Sequence, residues 1–439
     1  MTAPGLIIAA PASGSGKTLV TLGVLAALGR RGCRVAAAKV GPDYIDPAFH
    51  AAACGRAGVT LDGWAMRPAT LAAAVAAAGA ADLVVCEGVM GLLDGADVPA
   101  GQPNGSTADI AALTGWPVVL VVDARGMAAS AAAVVAGFAR ARPDLRVAAA
   151  LFNRVGGERH RRMILGQMAI LCPQVVPLGF LPAAEALRLP SRHLGLVQAC
   201  EHPDLETFLA AAARLVEAHL DLDALVGLAR PAACGPAGDG IPLPPLGGRI
   251  AVARDEAFAF AYAGVLEGWR RAGAELAPFS PLADQGPDCG CDAVYLPGGY
   301  PELHAGRLAG NAGFLSGLRA AAARGASVFG ECGGYMVLGR GLVDADGHRH
   351  DLAGLLPVET SFAARRLHLG YRRAVLLADT PLGRAGAAFR GHEFHFASVE
   401  AEAGDPLFAL TDAAGTPLPP AGCRAGRIAG SFIHLIDRE

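Results

Sequence analysis

Two short runs in this chain hold residue types that do chemistry at close quarters. The first is Ser13-Gly14-Ser15-Gly16-Lys17-Thr18, set between an apolar run at 6–9 and a helix-like run at 19–28. A strand, a glycine turn, Lys-Thr and a helix make the layout of a phosphate-binding loop. Gly14 and Gly16 let backbone N–H groups reach phosphate oxygens with no Cβ in the way. A helix opening at Lys17 turns its positive dipole end toward the same anion. Lys17 supplies a full charge at the β- and γ-phosphates, and the Thr18 hydroxyl a ligand for Mg²⁺. Pro11 stands where the standard pattern has its first glycine, but the phosphate-facing part is intact.

The second run is Gly330-Glu331-Cys332-Gly333-Gly334, after an apolar stretch at 326–329 and before a helical one at 335–338. A strand, a tight turn carrying one nucleophile, then a helix is the geometry of a nucleophile elbow. The helix N-terminus is expected to lower the Cys332 thiol pKa and favour thiolate. A nucleophilic thiol needs a base. His434 ends an apolar strand, and His304, His348, His350, His368, His392 and His395 compete with it. His392-Glu393-Phe394-His395 has the look of metal spacing. On a strand, however, Glu393 and His395 share one face and His392 turns to the other, so a metal is not expected there.

The elements that must hold these residues are legible in the hydrophobic pattern. The first half places apolar runs at 6–9, 35–39, 83–86, 118–122, 148–152 and 175–177, with helix-length stretches between them, such as 69–78 and 127–140. Runs apolar throughout read as strands of a parallel sheet buried on both faces, and the alternation predicts a doubly wound α/β fold. Ligands of such folds bind beyond the carboxyl ends of the strands. Those ends carry Lys39, Asp43, Tyr44 and Asp46, then Glu87 and Asp94, then Asp123, then Asn153. Carboxylates beside a nucleotide hold Mg²⁺ through a few oxygens; Asp46 and Glu87 are the candidates, with Asp94 nearby. Prolines and glycines interleave over 227–248 and predict a linker. It separates a domain at 1–226 from one at 249–439, which restarts with strands at 249–253 and 293–296 and a helix at 261–272.

Composition narrows the class. At 439 residues the chain is long enough for two or three domains, and 53% hydrophobic residues support large cores. A net charge of −3 gives no basic footprint for nucleic acid. Ten scattered cysteines without a CxxC pair fit a reducing cytoplasm, and Cys289-Gly290-Cys291 reads as an exposed turn. The longest uncharged stretch, 163–184, contains three prolines and two glutamines, which argues against a membrane span.

With these motifs in place, two resemblances meet. The second half resembles a class I glutamine amidotransferase domain, on Pro297-Gly298-Gly299, Gly330-Glu331-Cys332-Gly333-Gly334 and His434. The first half resembles the dethiobiotin synthetase-like P-loop fold. In this order they resemble the cobyrinic and hydrogenobyrinic acid a,c-diamide synthase family. Further matching motifs are 39–47, 87–95, 153–155, Leu189-Pro190-Ser191-Arg192-His193-Leu194-Gly195-Leu196, 391–396 and 431–434. The resemblance implies an α/β synthetase domain followed by an α/β amidotransferase domain. It implies ATP and Mg²⁺ as cofactors, L-glutamine as nitrogen donor and a corrinoid carboxylate as acceptor. It leaves room for a homodimer.

The same resemblance assigns roles. Cys332 attacks the glutamine amide, His434 is its base, and the Gly298 and Gly299 amides stabilise the oxyanion. Lys39 holds the γ-phosphate or the substrate carboxylate, Asp43, Tyr44 and Asp94 line the substrate edge, and Asn153 matches an adenine-reading Asn. The family's class usually has Glu two residues after the histidine. Ile436 stands there, so a Cys-His dyad is expected. ATP is needed because a carboxylate has no leaving group for ammonia; phosphorylation supplies one. The Ala-rich composition tilts the acceptor toward the metal-free corrinoid. Cobyric acid synthase and a nickel-tetrapyrrole a,c-diamide synthase are the near rivals. A partitioning-type ATPase shares the P-loop but has no use for Cys332.

Overall fold

The computed structural model describes residues 3–184, 187, 189–192, 195–235 and 238–439; His193 and Leu194 of the 189–196 run and Pro236 of the Pro/Gly-rich stretch lie outside them. The chain forms two compact units. The first holds Met1–Trp64, Pro68–Ala96 and Ala100–Gly240, the second Ala65–Arg67, Asp97–Pro99 and Ile241–Glu439.

In the first unit the strands are β1 (Pro4–Ala9), β2 (Val35–Val40), β3 (Val59–Leu61), β4 (Leu83–Glu87), β5 (Val118–Asp123), β6 (Val147–Asn153), β7 (Val176–Phe180), the short pair β8 (Ser191–Arg192) and β9 (Gly195–Leu196), and β10 (Arg230–Pro231). The helices are α1 (Lys17–Arg30), α2 (Asp46–Cys54), α3 (Pro68–Ala77), α4 (Thr107–Thr114), α5 (Ser130–Arg140), α6 (Glu158–Leu171), α7 (Leu205–His219) and α8 (Leu222–Leu228). The main sheet runs β3-β2-β4-β1-β5-β6-β7, parallel throughout, with β10 antiparallel on the start of β1. Strands β2, β4 and β6 are buried at every residue. Helices cover both faces, and each buried Val, Leu or Ile contributes about 1.5–3 kcal/mol. The last expected strand lies slightly later than 175–177. The edge strand β3 was not expected, because three residues leave no readable pattern.

The second unit starts with a parallel half: β11 (Arg249–Ala253), α9 (Ala263–Arg271), β12 (Glu275–Phe279), β13 (Ala293–Leu296), α10 (Ala305–Gly310), α11 (Ala312–Ala323), β14 (Ser327–Glu331) and α12 (Gly333–Leu338). Beyond α12 the chain is all strand: β15 (Gly341–Val343), β16 (Arg349–Asp351), β17 (Val358–Ser361), β18 (His368–Leu376), β19 (Ala388–His395), β20 (Ser398–Glu402), β21 (Asp405–Thr411), β22 (Pro417–Ala425), β23 (Ile428–Ser431) and β24 (Ile433–Arg438). Ten strands form one mixed sheet, β12-β11-β13-β14-β23-β22-β21-β18-β19-β24, and β16-β15-β17-β20 form another. Only Phe432 separates β23 in the middle of that order from β24 at its end. The antiparallel half must therefore curl back toward β14.

One local expectation changes. Cys289 is exposed, but Cys291 beside it is buried rather than part of an exposed turn. The 227–248 stretch is anchored at several points. It contains β10, Leu243 and Leu246 are buried, and Trp269 Nε1–H donates to the Pro244 carbonyl at 3.0 Å.

Candidate active sites

The first site is the turn from β1 into α1 and the strand ends around it. Gly14 and Gly16 have φ of +78° and +97°, a conformation L side chains rarely adopt. A Cβ on Gly16 would lie 2.2 Å from Asn153 Nδ2. Ser15 Oγ donates to the Ala12 carbonyl at 2.8 Å, folding the loop on itself, while Ser13 and Gly14 stay exposed. Asn153 Nδ2 donates to the Ser15 carbonyl at 2.9 Å. Arg154 donates to the Gly14 carbonyl at 3.0 Å and pairs with Asp123 at 2.6 Å. Asn153 thus braces the loop in this structure.

Glu87, at the end of β4, is the hub. Thr18 Oγ1 donates to its Oε1 at 2.6 Å, Lys39 Nζ lies 3.2 Å from the same oxygen, and His50 Nε2 lies 2.7 Å from Oε2. Lys39 also bonds Asp46 and lies 3.4 Å from Asp43. Asp43 Oδ1 accepts the Ile45 and Asp46 N–H groups just ahead of α2. Tyr44 is buried beside it. Lys17 donates to the Met90 carbonyl, and Asp94 accepts the Gly91 N–H at 2.8 Å. The candidates Lys17, Thr18, Lys39, Asp43, Asp46 and Glu87 are therefore brought together. His50 escaped the sequence reading. It sits four residues after Asp46, on the same helix face, and is fully buried.

The electrostatics are those of crowded charge. Burial pulls the Lys17 ammonium below its ordinary range, with Lys39 adding to the effect. Burial also acts against charged Lys39, but Asp46, Glu87 and Asp43 outweigh it and hold Lys39 well above its ordinary range. Burial pushes Glu87 up, yet Lys39, His50 and Thr18 prevail and keep it well below the carboxylate range. Asp46 goes the other way, pushed up to about 7 by burial and then by Asp43. Four carboxylates (Asp43, Asp46, Glu87, Asp94) face two ammonium groups. A hydroxyl and an excess of anionic oxygen suit a hard divalent cation such as Mg²⁺.

The second site is the turn from β14 into α12. Cys332 has φ +47°, a strained conformation for a residue with a side chain. It is held by its N–H to the Ser431 carbonyl at 2.8 Å and by Gly334 N–H to Pro297 at 3.1 Å. A Cβ on Gly334 would stand 2.0 Å from the Leu296 carbonyl oxygen, and one on Gly430 would stand 2.6 Å from the Tyr335 ring. Gly298 packs against both candidate side chains, Cys332 and His434. A Cβ there would lie 2.4 Å from His434 Cε1, 3.2 Å from Nε2 and 3.4 Å from Cys332 Cβ. The Gly299 nitrogen lies 3.0 Å from where a Cβ on Gly333 would stand. The structure therefore gathers Cys332, His434, Gly298 and Gly299.

Glu331 was not singled out by the sequence as a site residue. It accepts the Tyr295 hydroxyl at 2.7 Å and the Leu435 N–H at 3.1 Å, tying the strand that leads to Cys332 to the strand of His434. Burial pushes its carboxyl up to about 7.

The expected activation of Cys332 by its helix is not what the structure shows. Burial pushes the thiol well above its usual range, and Glu302, Glu331 and Glu393 add to it. The Gly333 N–H acts in the opposite sense, but α12 is only six residues long and its dipole end loses to desolvation. His434 is pulled down to about 3 by burial and then by His392 and His395. At neutral pH the pair is a thiol beside a neutral imidazole. Ile436, where the class has Glu, is buried on β24.

Comparison with known proteins finds a family match in each half of the chain. Residues 6–197 match the CobQ/CobB/MinD/ParA nucleotide binding domain, and residues 249–439 the CobB/CobQ-like glutamine amidotransferase domain. A protein of Sinorhizobium sp is 55% identical over 99% of this chain and 98% of its own length. One from Rhodobacter capsulatus is 54% identical over 98% of both, and one from Brucella suis 53% identical over 99% and 98%. All three are named hydrogenobyrinate a,c-diamide synthase. Full-length identity at this level, with both site motifs in place, means that the chain belongs to the hydrogenobyrinate a,c-diamide synthase family.

Proposed function

We propose that this protein uses ATP and glutamine to convert the a and c acetate carboxylates of hydrogenobyrinic acid to amides, in cobalamin biosynthesis. The 1–226 domain acts as synthetase and the 249–439 domain as glutaminase, joined by 227–248. The observation that carries this reading is the pairing, on one chain, of a Lys17–Thr18–Glu87 phosphate site with a strained Cys332 elbow beside His434. The relatives' shared name supports the metal-free corrinoid over its rivals. All ten thiols are free, which supports a reducing cytoplasm. No helix among the described residues is long and apolar enough to cross a membrane.

The chemistry follows from the residues. A substrate carboxylate oxygen attacks the γ-phosphorus of ATP, the bond to the bridging oxygen breaks, and ADP leaves. Lys17 and Lys39 offset charge on the transferring group. Thr18, Glu87 and Asp46 would hold Mg²⁺, which neutralises phosphate charge when bound. Asn153 keeps the loop in shape, and its resemblance to an adenine-reading Asn gives it that second role. At the other site the Cys332 sulfur attacks the glutamine Cδ while its proton passes to His434 Nε2. The oxyanion faces the Gly298 and Gly299 amides, and His434 returns the proton to the departing ammonia. Water then releases glutamate from the thioester. Ammonia attacks the acyl phosphate carbon and phosphate leaves. A neutral His434 is the form able to take the thiol proton. Because proton transfer waits for the substrate, idle thiolate is kept scarce.

The test is mass spectrometry of products from hydrogenobyrinic acid and from cobyrinic acid, each with ATP, Mg²⁺ and glutamine. Two successive amidations of hydrogenobyrinic acid are expected. A product from neither corrinoid, or amidation at other side chains, overturns the reading.

A further inference from the structure

The sequence dismissed a metal at His392-Glu393-Phe394-His395 because His392 turns away. The structure confirms that His392 does so: it lies opposite His434 in the β19–β24 pair and faces Tyr371. It also supplies a replacement. His368 on β18 is the register partner of His395. One donor atom from each of His368, Glu393 and His395 fits within 4.8 Å of the others. We propose that these three residues form a binding site for a zinc-class divalent transition metal, open to a cavity in the second unit.

The hydrogen bonds around the three residues have the form that metal sites use. His395 Nδ1 lies 3.0 Å from the Ala397 carbonyl oxygen, an acceptor only, so Nδ1 carries the proton. In the neutral ring Nε2 then presents a lone pair to Glu393 Oε1 at 3.0 Å. Two acceptors that close need a cation between them. A proton would satisfy this pair alone, but it would leave the third donor without a role. Glu393 Oε2 is held by Arg372 at 2.8 Å, which leaves Oε1 for the ion. A carbonyl behind the histidine and a cation behind the carboxylate are typical outer-shell partners, fixing tautomer and orientation.

The His395 ring is held in place, whereas the His368 ring lies cofacial with it and must turn to aim its in-plane lone pair at the same ion. His395 stacks on Phe432 with centroids 3.8 Å apart, and His368 stacks on His395 at 4.6 Å and 3°. Zinc bonds of about 2.0–2.2 Å place tetrahedral donors roughly 3.3 Å apart. The His395–Glu393 pair is already near that spacing, and a side-chain rotation of His368 closes the rest. Two imidazoles and one carboxylate are a borderline donor set, which selects zinc-class ions over Mg²⁺. With three protein ligands the fourth position faces the cavity of ≈450 Å³ lined by Arg366, His368, Glu393, His395, Glu402 and Phe432, where water completes the shell.

The test uses the full chain, stripped with a chelator and titrated with Co²⁺, whose visible d–d bands report tetrahedral nitrogen and oxygen ligation, with Zn²⁺ as competitor. One equivalent is expected, displaced by Zn²⁺ and without a sulfur-to-metal charge-transfer band. His368→Ala should weaken binding at least about tenfold, and Arg372→Gln by about 10–100-fold, as loss of an outer-shell partner does. Near-UV circular dichroism, which reads the packed aromatic side chains of the second unit, verifies that each variant is folded. Absence of a bound equivalent in wild type, equal affinity in His368→Ala, or a charge-transfer band marking one of the ten thiols overturns the site.

Discussion

The two candidate sites solve opposite problems. Around Glu87 the protein gathers charge-bearing groups, two lysines and four carboxylates, with the His50 ring bonded to Glu87. Around Cys332 it keeps the reacting pair neutral and spends its effort on shape, with a strained φ and glycines that let backbones meet. Phosphoryl transfer moves charge between oxygens that are already charged, so fixed counter-charges do most of the work. Thioester formation begins from a neutral amide. A resting thiolate would gain little before glutamine arrives, and burial suppresses it. The contrast teaches that a perturbed pKa is not by itself a sign of a charged catalyst. At Cys332 and His434 the shifts run toward neutrality.

If the sites are separable in this way, the largest effects come from removing each centre. Lys17→Ala should reduce amidation by about 10³-fold or more with either glutamine or ammonia, since both routes need the activated carboxylate. Cys332→Ser should abolish glutamine-driven amidation, while ammonium salt at mildly alkaline pH restores the product. Product formation with each nitrogen donor in turn reads both variants. A Lys17→Ala enzyme that works with ammonia, or a Cys332→Ser enzyme that still uses glutamine, breaks the comparison.

A shape change at the second site should separate the two further. Gly298→Ala drives a methyl into His434 and toward Cys332. Displacing a reacting group in this way costs about 10²-fold, seen as a fall in glutamine kcat/KM with ammonia-dependent turnover preserved. Equal loss with both donors would mean a folding defect instead.

A charge change at the first site should act more gently. Asp46→Asn removes one anionic oxygen from the crowd around Lys39. It should raise the Mg²⁺ concentration for half-maximal turnover by about tenfold and leave glutaminase activity unchanged. An unaltered Mg²⁺ titration would make Asp46 structural.

The smallest effect is on stability. Folded His434 titrates at about 3, whereas the unfolded chain takes up its proton near 6.5. Below 6.5 the unfolded state therefore binds more protons, and stability falls with pH until about 3. Between pH 7 and pH 5 wild type should lose about 2 kcal/mol relative to His434→Gln. Glu331, raised to about 7, acts in the opposite sense but does so in both proteins and drops out of the difference. Denaturant unfolding at the two pH values measures it, and a parallel pair of pH profiles would show that His434 is more solvated than its burial implies.

What the sequence determined by itself was whatever is local. The Gly-Ser-Gly-Lys-Thr turn, the Cys332 elbow and the strands apolar on both faces depend on neighbours a few residues away, and they were legible with nearly their final bounds. The tertiary structure decided everything that depends on which strand lies beside which. His50 meets Glu87 only because α2 packs on β2, whose sheet neighbour is β4. Glu331 reaches Leu435 because the antiparallel half curls back to β14. His368 joins Glu393 and His395 only in the β18–β19 register. That half was unreadable in advance because its strands bury one face irregularly, without the unbroken apolar runs of the parallel sheet. The sign of the Cys332 shift was likewise a tertiary fact. A helix end is visible in sequence, but the burial that outweighs it is the sum of every segment packed around the thiol.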